Sequence, residues 1–141
     1  MKNSRALVYI ADDDADDRFF IRSALREVDP SITLVEAEDG DDLLDKLVAW
    51  SLNPMASPIS LILLDMNMPR RSGLETLIDL RSTPAFRHIP IVMMSTSAEP
   101  AEVAVAYRQG ISSYIRKPEV SSQIKSIIQA IKICFLNASV A

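Results

Sequence analysis

Five short runs rich in β-branched and other apolar residues, at 6–11, 32–37, 59–64, 89–94 and 113–116, constrain this chain more than any other feature. Each is too short for a core helix, and most lack the polar alternation of a half-exposed strand, so they read as strands of a sheet covered on both faces. Between them the apolar period changes. Phe20, Ala24, Leu25 and Val28 recur at helical spacing over 15–28 before Asp29-Pro30 stops the pattern. Gly40 opens a helix carrying Leu43, Leu44, Leu47 and Val48, and Leu74, Leu77, Ile78 and Leu80 mark a third. Pro100 and Gly110 bracket a fourth. The last helix places Val120, Ile124, Ile127, Ile128, Ile131 and Phe135 on one stripe. The stretch 51–58, with two prolines, is a loop longer than such connections need.

Strands alternating with helices predict an α/β fold, a doubly wound five-stranded parallel sheet with helices on both faces. The runs at 59–64 and 89–94 are the most uniformly apolar and belong in the middle; those at 32–37 and 113–116 are more polar and suit the edges. The order 2-1-3-4-5, the flavodoxin-like one, satisfies this, and it places ligands beyond the carboxyl ends of the strands. Residues 1–141 read as a single domain with no second, output domain.

Charge and cysteine content narrow the function classes. Nineteen acidic residues against fifteen basic ones leave a net charge of −4, with no basic stripe for nucleic acid or anionic lipid. One cysteine, Cys134, excludes an internal disulfide framework and fits a reducing cytoplasm; at that place it reads as a small packing residue. No run reaches the length of a membrane span, and the first apolar run enters Asp12-Asp13-Asp14 at once, unlike a secretory signal.

At the carboxyl edge the strands deliver Asp12-Asp13-Asp14, Asp65, Ser95-Thr96 and Lys117-Pro118. Carboxylates gathered there repel one another unless a cation intervenes. All-oxygen ligation with few protein ligands suits Mg²⁺ (or Mn²⁺) shared with a phosphate, and the chemistry so implied is phosphoryl transfer. Asp65 follows a buried strand and is the nucleophile candidate, able to form an acyl phosphate. Lys117 pairs with Asp65 first and with phosphoryl oxygens afterwards. Ser95 offers a hydroxyl to a phosphoryl oxygen. The acidic pair could begin at Asp12 or Asp13; Asp12 and Asp13 are chosen because the strand is filled to Ala11, which leaves Asp14 to cap the next helix.

In sequence order the chain carries Val8-Tyr9-Ile10-Ala11-Asp12-Asp13, Leu63-Leu64-Asp65-Met66-Asn67-Met68-Pro69, Gly73-Leu74, Pro90-Ile91-Val92-Met93-Met94-Ser95 and Tyr114-Ile115-Arg116-Lys117-Pro118. With these motifs at these spacings it resembles bacterial response-regulator receiver domains over essentially its whole length. It is most similar to the single-domain type that partners phytochrome-type histidine kinases. The resemblance implies that Asp65 is the phosphoacceptor and Asp13 a direct metal ligand. Asp12 then holds the metal mostly through water, and the Asn67 backbone carbonyl ligates it. It makes Lys117 the phosphate partner, Ser95 the switch hydroxyl and Tyr114 the switch aromatic, and it suggests a cis Lys117–Pro118 bond. Thr96 stands where most receivers carry a smaller residue, and its bulk is expected to slow phosphorylation and hydrolysis.

The implied partners are a sensor histidine kinase or phosphotransfer protein, a downstream protein target and, where apolar side chains of the last two helices are exposed, a second copy of the chain. The protein would catalyse only its own phosphorylation and slow dephosphorylation. An intermediate phosphate carrier in a relay, or an unphosphorylated scaffold, is the alternative. Other acidic sites fit less well. A calcium loop starting at Asp12 would need glycine at Asp17 and glutamate at Ser23. A flavin carrier would need a loop poor in acid, and an aspartyl-phosphate hydrolase would need an acid where Asn67 stands. His88 reads as exposed, and Arg70-Arg71 as a solvated pair.

Overall fold

The structure is a computed structural model describing residues 6–136. Five strands, β1 (Leu7–Ala11), β2 (Thr33–Ala37), β3 (Leu61–Asp65), β4 (Ile91–Ser95) and β5 (Ser113–Arg116), form one sheet in the order β2-β1-β3-β4-β5. All four pairings are parallel. The helices are α1 (Ala15–Val28), α2 (Gly40–Ser51), α3 (Gly73–Ser82), α4 (Pro100–Arg108) and α5 (Ile124–Ile131). The predicted fold class and strand order are thus those observed.

Alternate residues of a strand face opposite sides, and the core divides accordingly. Val8, Ile10, Leu63 and Val92 pack with Ile21 and Leu25 of α1 and Ile128 and Ile131 of α5. Tyr9, Ala11, Leu64 and Met93 pack with Leu43 and Leu47 of α2, Leu77 and Leu80 of α3 and Ala106 of α4. β3 and β4 are buried along their whole length, whereas β2 and β5 are only partly so.

Local differences from expectation have physical causes. β3 and β4 begin two residues later, at Leu61 and Ile91, and run on to include Asp65 and Ser95. Pro90 lacks the N–H a ladder position requires, although its carbonyl still accepts from the Ile62 amide. On α1 the buried positions are Ile21, Ala24 and Leu25, which turns Phe20 out to solvent. Val48 and Ile78 are exposed for the same reason, each lying one position beyond a buried residue of its helix. The final stripe is served by a 3₁₀ turn (Ser121–Gln123), α5 and a π-helical turn (Lys132–Leu136); Val120 and Cys134 are exposed rather than packed. Trp50 donates its indole N–H to the Ser57 carbonyl at 2.8 Å, which folds the long loop back on α2.

Two glycines are required. Gly110 ends the α4 connection at φ 103°, and a side chain on Gly73 would place its Cβ 2.2 Å from the Asp65 carbonyl oxygen. The start of α3 therefore lies directly against the backbone of Asp65.

Candidate functional site: an acidic cluster at the carboxyl edge of the sheet

Backbone pairing carries the strands just past their ends and sets the height of each side chain. The Asp12 amide donates to the Ala37 carbonyl, that of Met66 to Met94 and that of Lys117 to Ser95. The register pairs Asp65 with Met94 and Ser95 with Arg116. Asp12, Asp65, Ser95 and Lys117 are thereby brought to one edge.

Asp12 is 2 % exposed and Asp65 6 %. Asp13 is exposed, and one carboxylate oxygen of each of Asp12, Asp13 and Asp65 lies within 4.8 Å of the others. Asp14 stands apart as the N-cap of α1, accepting from the amides of Asp16 at 2.8 Å and Asp17 at 3.3 Å. Of the three successive aspartates, Asp12 and Asp13 are thus the two that meet Asp65. Asp14 also donates its own amide to Asp12, at 2.9 Å, and Arg18 donates to the Asp12 carbonyl at 2.6 Å.

Burial pushes the Asp65 carboxyl up to about 7; the Asp12 charge adds to the rise, while Lys117 and the Asn67 amide work against it. Burial also raises Asp12, outweighing its bonds from Lys117 and Asp14. For Lys117 burial acts to lower the pKa, but hydrogen bonds to Asp12 and Asp17 prevail and the ammonium is held well above its usual range. The cluster is thus electrostatically frustrated: buried like charges are only partly offset by one cation.

Lys117 pairs with Asp65, as expected, but Asp65 is the farthest of its three carboxylate partners. Its ammonium donates to Asp12 and to Asp17, at 2.8 Å each, and stands farther, 3.5 Å, from Asp65. Asp17 was weighed only as a misfit in a calcium loop and not assigned to the site, because it lies within an acid run that also serves the helix start. Its place on the first turn of α1, facing the lysine strand, is a tertiary fact. The bond between Lys117 and Pro118 is trans, since the described residues contain no cis peptide.

Asn67 joins two parts of the site. Its amide donates to Asp65 at 3.3 Å, and its side-chain amide donates to the Ser95 hydroxyl at 3.1 Å. Ser95 is fully buried and also accepts from the Ser97 amide. Tyr114 is half-buried and donates its hydroxyl to the Ser97 carbonyl at 2.9 Å, while Thr96 beside them is exposed. Arg70 and Arg71 are ion-paired instead of merely solvated. Arg70, at a left-handed φ of 66°, bonds to Asp39, and Arg71 bridges Asp41 and Asp79. These pairs tie the loop carrying Asn67 to α2 and α3. His88 is exposed and lies off the site.

The donor set fits a hard divalent cation: three carboxylates from two strand ends, converging and under-neutralised, with no soft ligand among them.

Residues 8–129 match the family model of the response regulator receiver domain. The chain belongs to this family. This receiver is 30% identical over 122 residues to the chemotaxis protein CheY1 of Helicobacter pylori, covering 86% of this chain and 93% of that protein. It is 29% identical over 120 residues to a CheY homologue of Campylobacter jejuni, covering 85% and 87%. Among solved structures, the phosphorylated cyanobacterial phytochrome response regulator RcpA superposes with a TM-score of 0.83 at 27% identity, covering 96% of this chain and 97% of that one. The response regulator RPA3017, from red-light signalling in R. palustris, gives 0.83 at 25%, covering 95% and 96%. A phosphoacceptor signalling role is the family's role, and a divalent-metal site is part of it.

Proposed function

We propose that this receiver takes a phosphoryl group onto Asp65 from a phosphohistidine on a sensor kinase or phosphotransfer protein, with Mg²⁺ as the metal. The observation that carries this reading is the convergence of Asp12, Asp13 and Asp65 beside Lys117 at one sheet edge. Asp12, Asp13, Asp65 and the Asn67 backbone carbonyl would hold the ion, whose charge relieves the repulsion among the carboxylates and offsets charge developing on the phosphoryl oxygens.

The residues of the chain do the rest. An oxygen of Asp65 attacks phosphorus, the P–N bond to the donor imidazole breaks, and its electron pair leaves with that nitrogen. Lys117 neutralises phosphoryl oxygens, and Ser95 exchanges its bond from Asn67 for one that it donates to the phosphoryl group. Movement of Ser95 and Ser97 disturbs the carbonyl that Tyr114 holds, so the ring's position becomes coupled to phosphorylation. The result is a population shift at the surface of α4, β5 and α5, read by a downstream protein or a second copy of the chain. The chain modifies no separate substrate, and a cytoplasmic setting accords with the single cysteine.

RcpA, related at 27% identity, is known in a phosphorylated form, which supports this over an unphosphorylated scaffold. The test is labelling by acetyl phosphate with and without Mg²⁺. Wild type is expected to label only with the ion, and Asp65→Asn not at all; label persisting in the variant would identify another acceptor. Thr96→Ala is expected to raise both the labelling and the hydrolysis rate, and unchanged rates would remove Thr96 from the site.

A further inference from the structure

The Asp17 side chain contacts the reactive cluster but belongs neither to the metal triad nor, unlike its amide, to the helix cap. The Lys117 side chain is almost enclosed, and its ammonium is shared equally between Asp12 and Asp17 while Asp65 waits 0.7 Å farther out, at 3.5 Å against 2.8 Å. The two close partners are not equivalent. The Asp12 side chain is 2 % exposed, and without a metal ion beside it the lysine is its one close cation; that of Asp17 is 31 % exposed, and water can take the place of the lysine.

We propose that Asp17 is the resting anchor of Lys117, a positioning residue that holds the ammonium back from Asp65 and so sets how strongly a phosphoryl group must attract it. The proposal rests on the phosphoacceptor reading above. A phosphoryl group on Asp65 brings about −1.5 to −2 charges in place of one, enough to draw the ammonium across. Of its two bonds, the one to Asp17 is the one it relinquishes, because water reaches Asp17 and makes good the loss whether or not the ion sits on Asp12. Arg18, the next residue, stays bonded to the Asp12 carbonyl and to Glu36 of β2, so the turn of α1 keeps its place when the anchor lets go.

Asp17→Asn keeps the shape of the side chain and removes its charge. With Mg²⁺ present, the variant is expected to bind beryllofluoride, a phosphoryl mimic, about two- to fivefold more tightly than wild type. In a Lys117→Gln background the same substitution is expected to yield no gain. Thermal unfolding without Mg²⁺ or beryllofluoride supplies an independent arm: the two substitutions should be non-additive by about 2–4 °C. Unchanged or weaker binding by Asp17→Asn, a gain that persists without Lys117 (general charge repulsion), or additive thermal shifts would each overturn the anchor while leaving the phosphoacceptor reading intact. Wild type that takes up no beryllofluoride would overturn that reading and the anchor with it.

Discussion

The helices α3 and α4 follow neighbouring central strands and flank the same site, yet they are held in opposite ways. α3 opens with a reciprocal cap in which the Ser72 hydroxyl accepts from the Glu75 amide and the Glu75 carboxylate accepts from the Ser72 amide. It buries Gly73, Thr76, Leu77 and Leu80, and Gly73 lies against the Asp65 carbonyl. α4 opens at Glu99 with no side-chain cap and buries only Ala106. Its links to the site are a few neutral hydrogen bonds around Ser97, Tyr107 and Tyr114. Low burial and exposed backbone bonds place a segment at the low-stability end of a fold. The side that must hold Asp65 and Asn67 still is packed and capped, and the side proposed to respond is loosely attached.

The largest expected effect tests the packed side. Leu77→Ala should lower stability by about 2–5 kcal/mol in urea unfolding, because the side chain is fully buried between α3 and the sheet. A loss under about 1 kcal/mol would mean that α3 is no firmer than α4. Next comes the charge at the site itself. Asp65 titrates near 7 in the fold, above its unfolded value, so its ionised form destabilises the protein above that pH and the penalty fades as pH falls through it. Without metal at pH 8, Asp65→Asn should therefore be more stable than wild type by about 1–3 kcal/mol, with the advantage shrinking towards pH 6. A variant less stable at pH 8 would show that the cluster is not frustrated.

Smaller effects sharpen the contrast at the helix starts. Ser72→Ala should cost about 1 kcal/mol and speed amide exchange in the first turn of α3. Conversely, Glu99→Ser places a hydroxyl three residues before Glu102, completing the missing cap of α4. It should gain about 0.5–1 kcal/mol and slow exchange in α4 alone. If exchange in α4 is already as slow as in α3 before that change, the difference between the two helices is wrong.

How legible this was in the sequence depended on distance along the chain. The two helix starts that rest on local spacing, Asp14 capping α1 and Pro100 opening α4, stood where the pattern put them. So did the central position of β3 and β4, because a strand buried on both faces admits no polar alternation. Helix faces were read less well. Phe20, Val48 and Ile78 fit an apolar stripe by spacing, but the angle at which each helix meets the sheet left them outside. At the site, Asp12, Asp65 and Lys117 were found because strand order alone brings them together, whereas Arg70 and Arg71 were taken for a solvated pair.

Periodicity, strand composition and the residue at each strand end are properties of short segments, and from them the amino-acid order alone determined the sheet, its order and the convergence of acid and lysine. Which carboxylates share the ammonium is another matter. That choice lies among Asp12, Asp17 and Asp65, separated by up to 53 residues from one another and by 100 or more from Lys117 in two cases. Differences under 1 Å and unequal access to water decide it, and these exist only once the α1 turn is docked on the sheet.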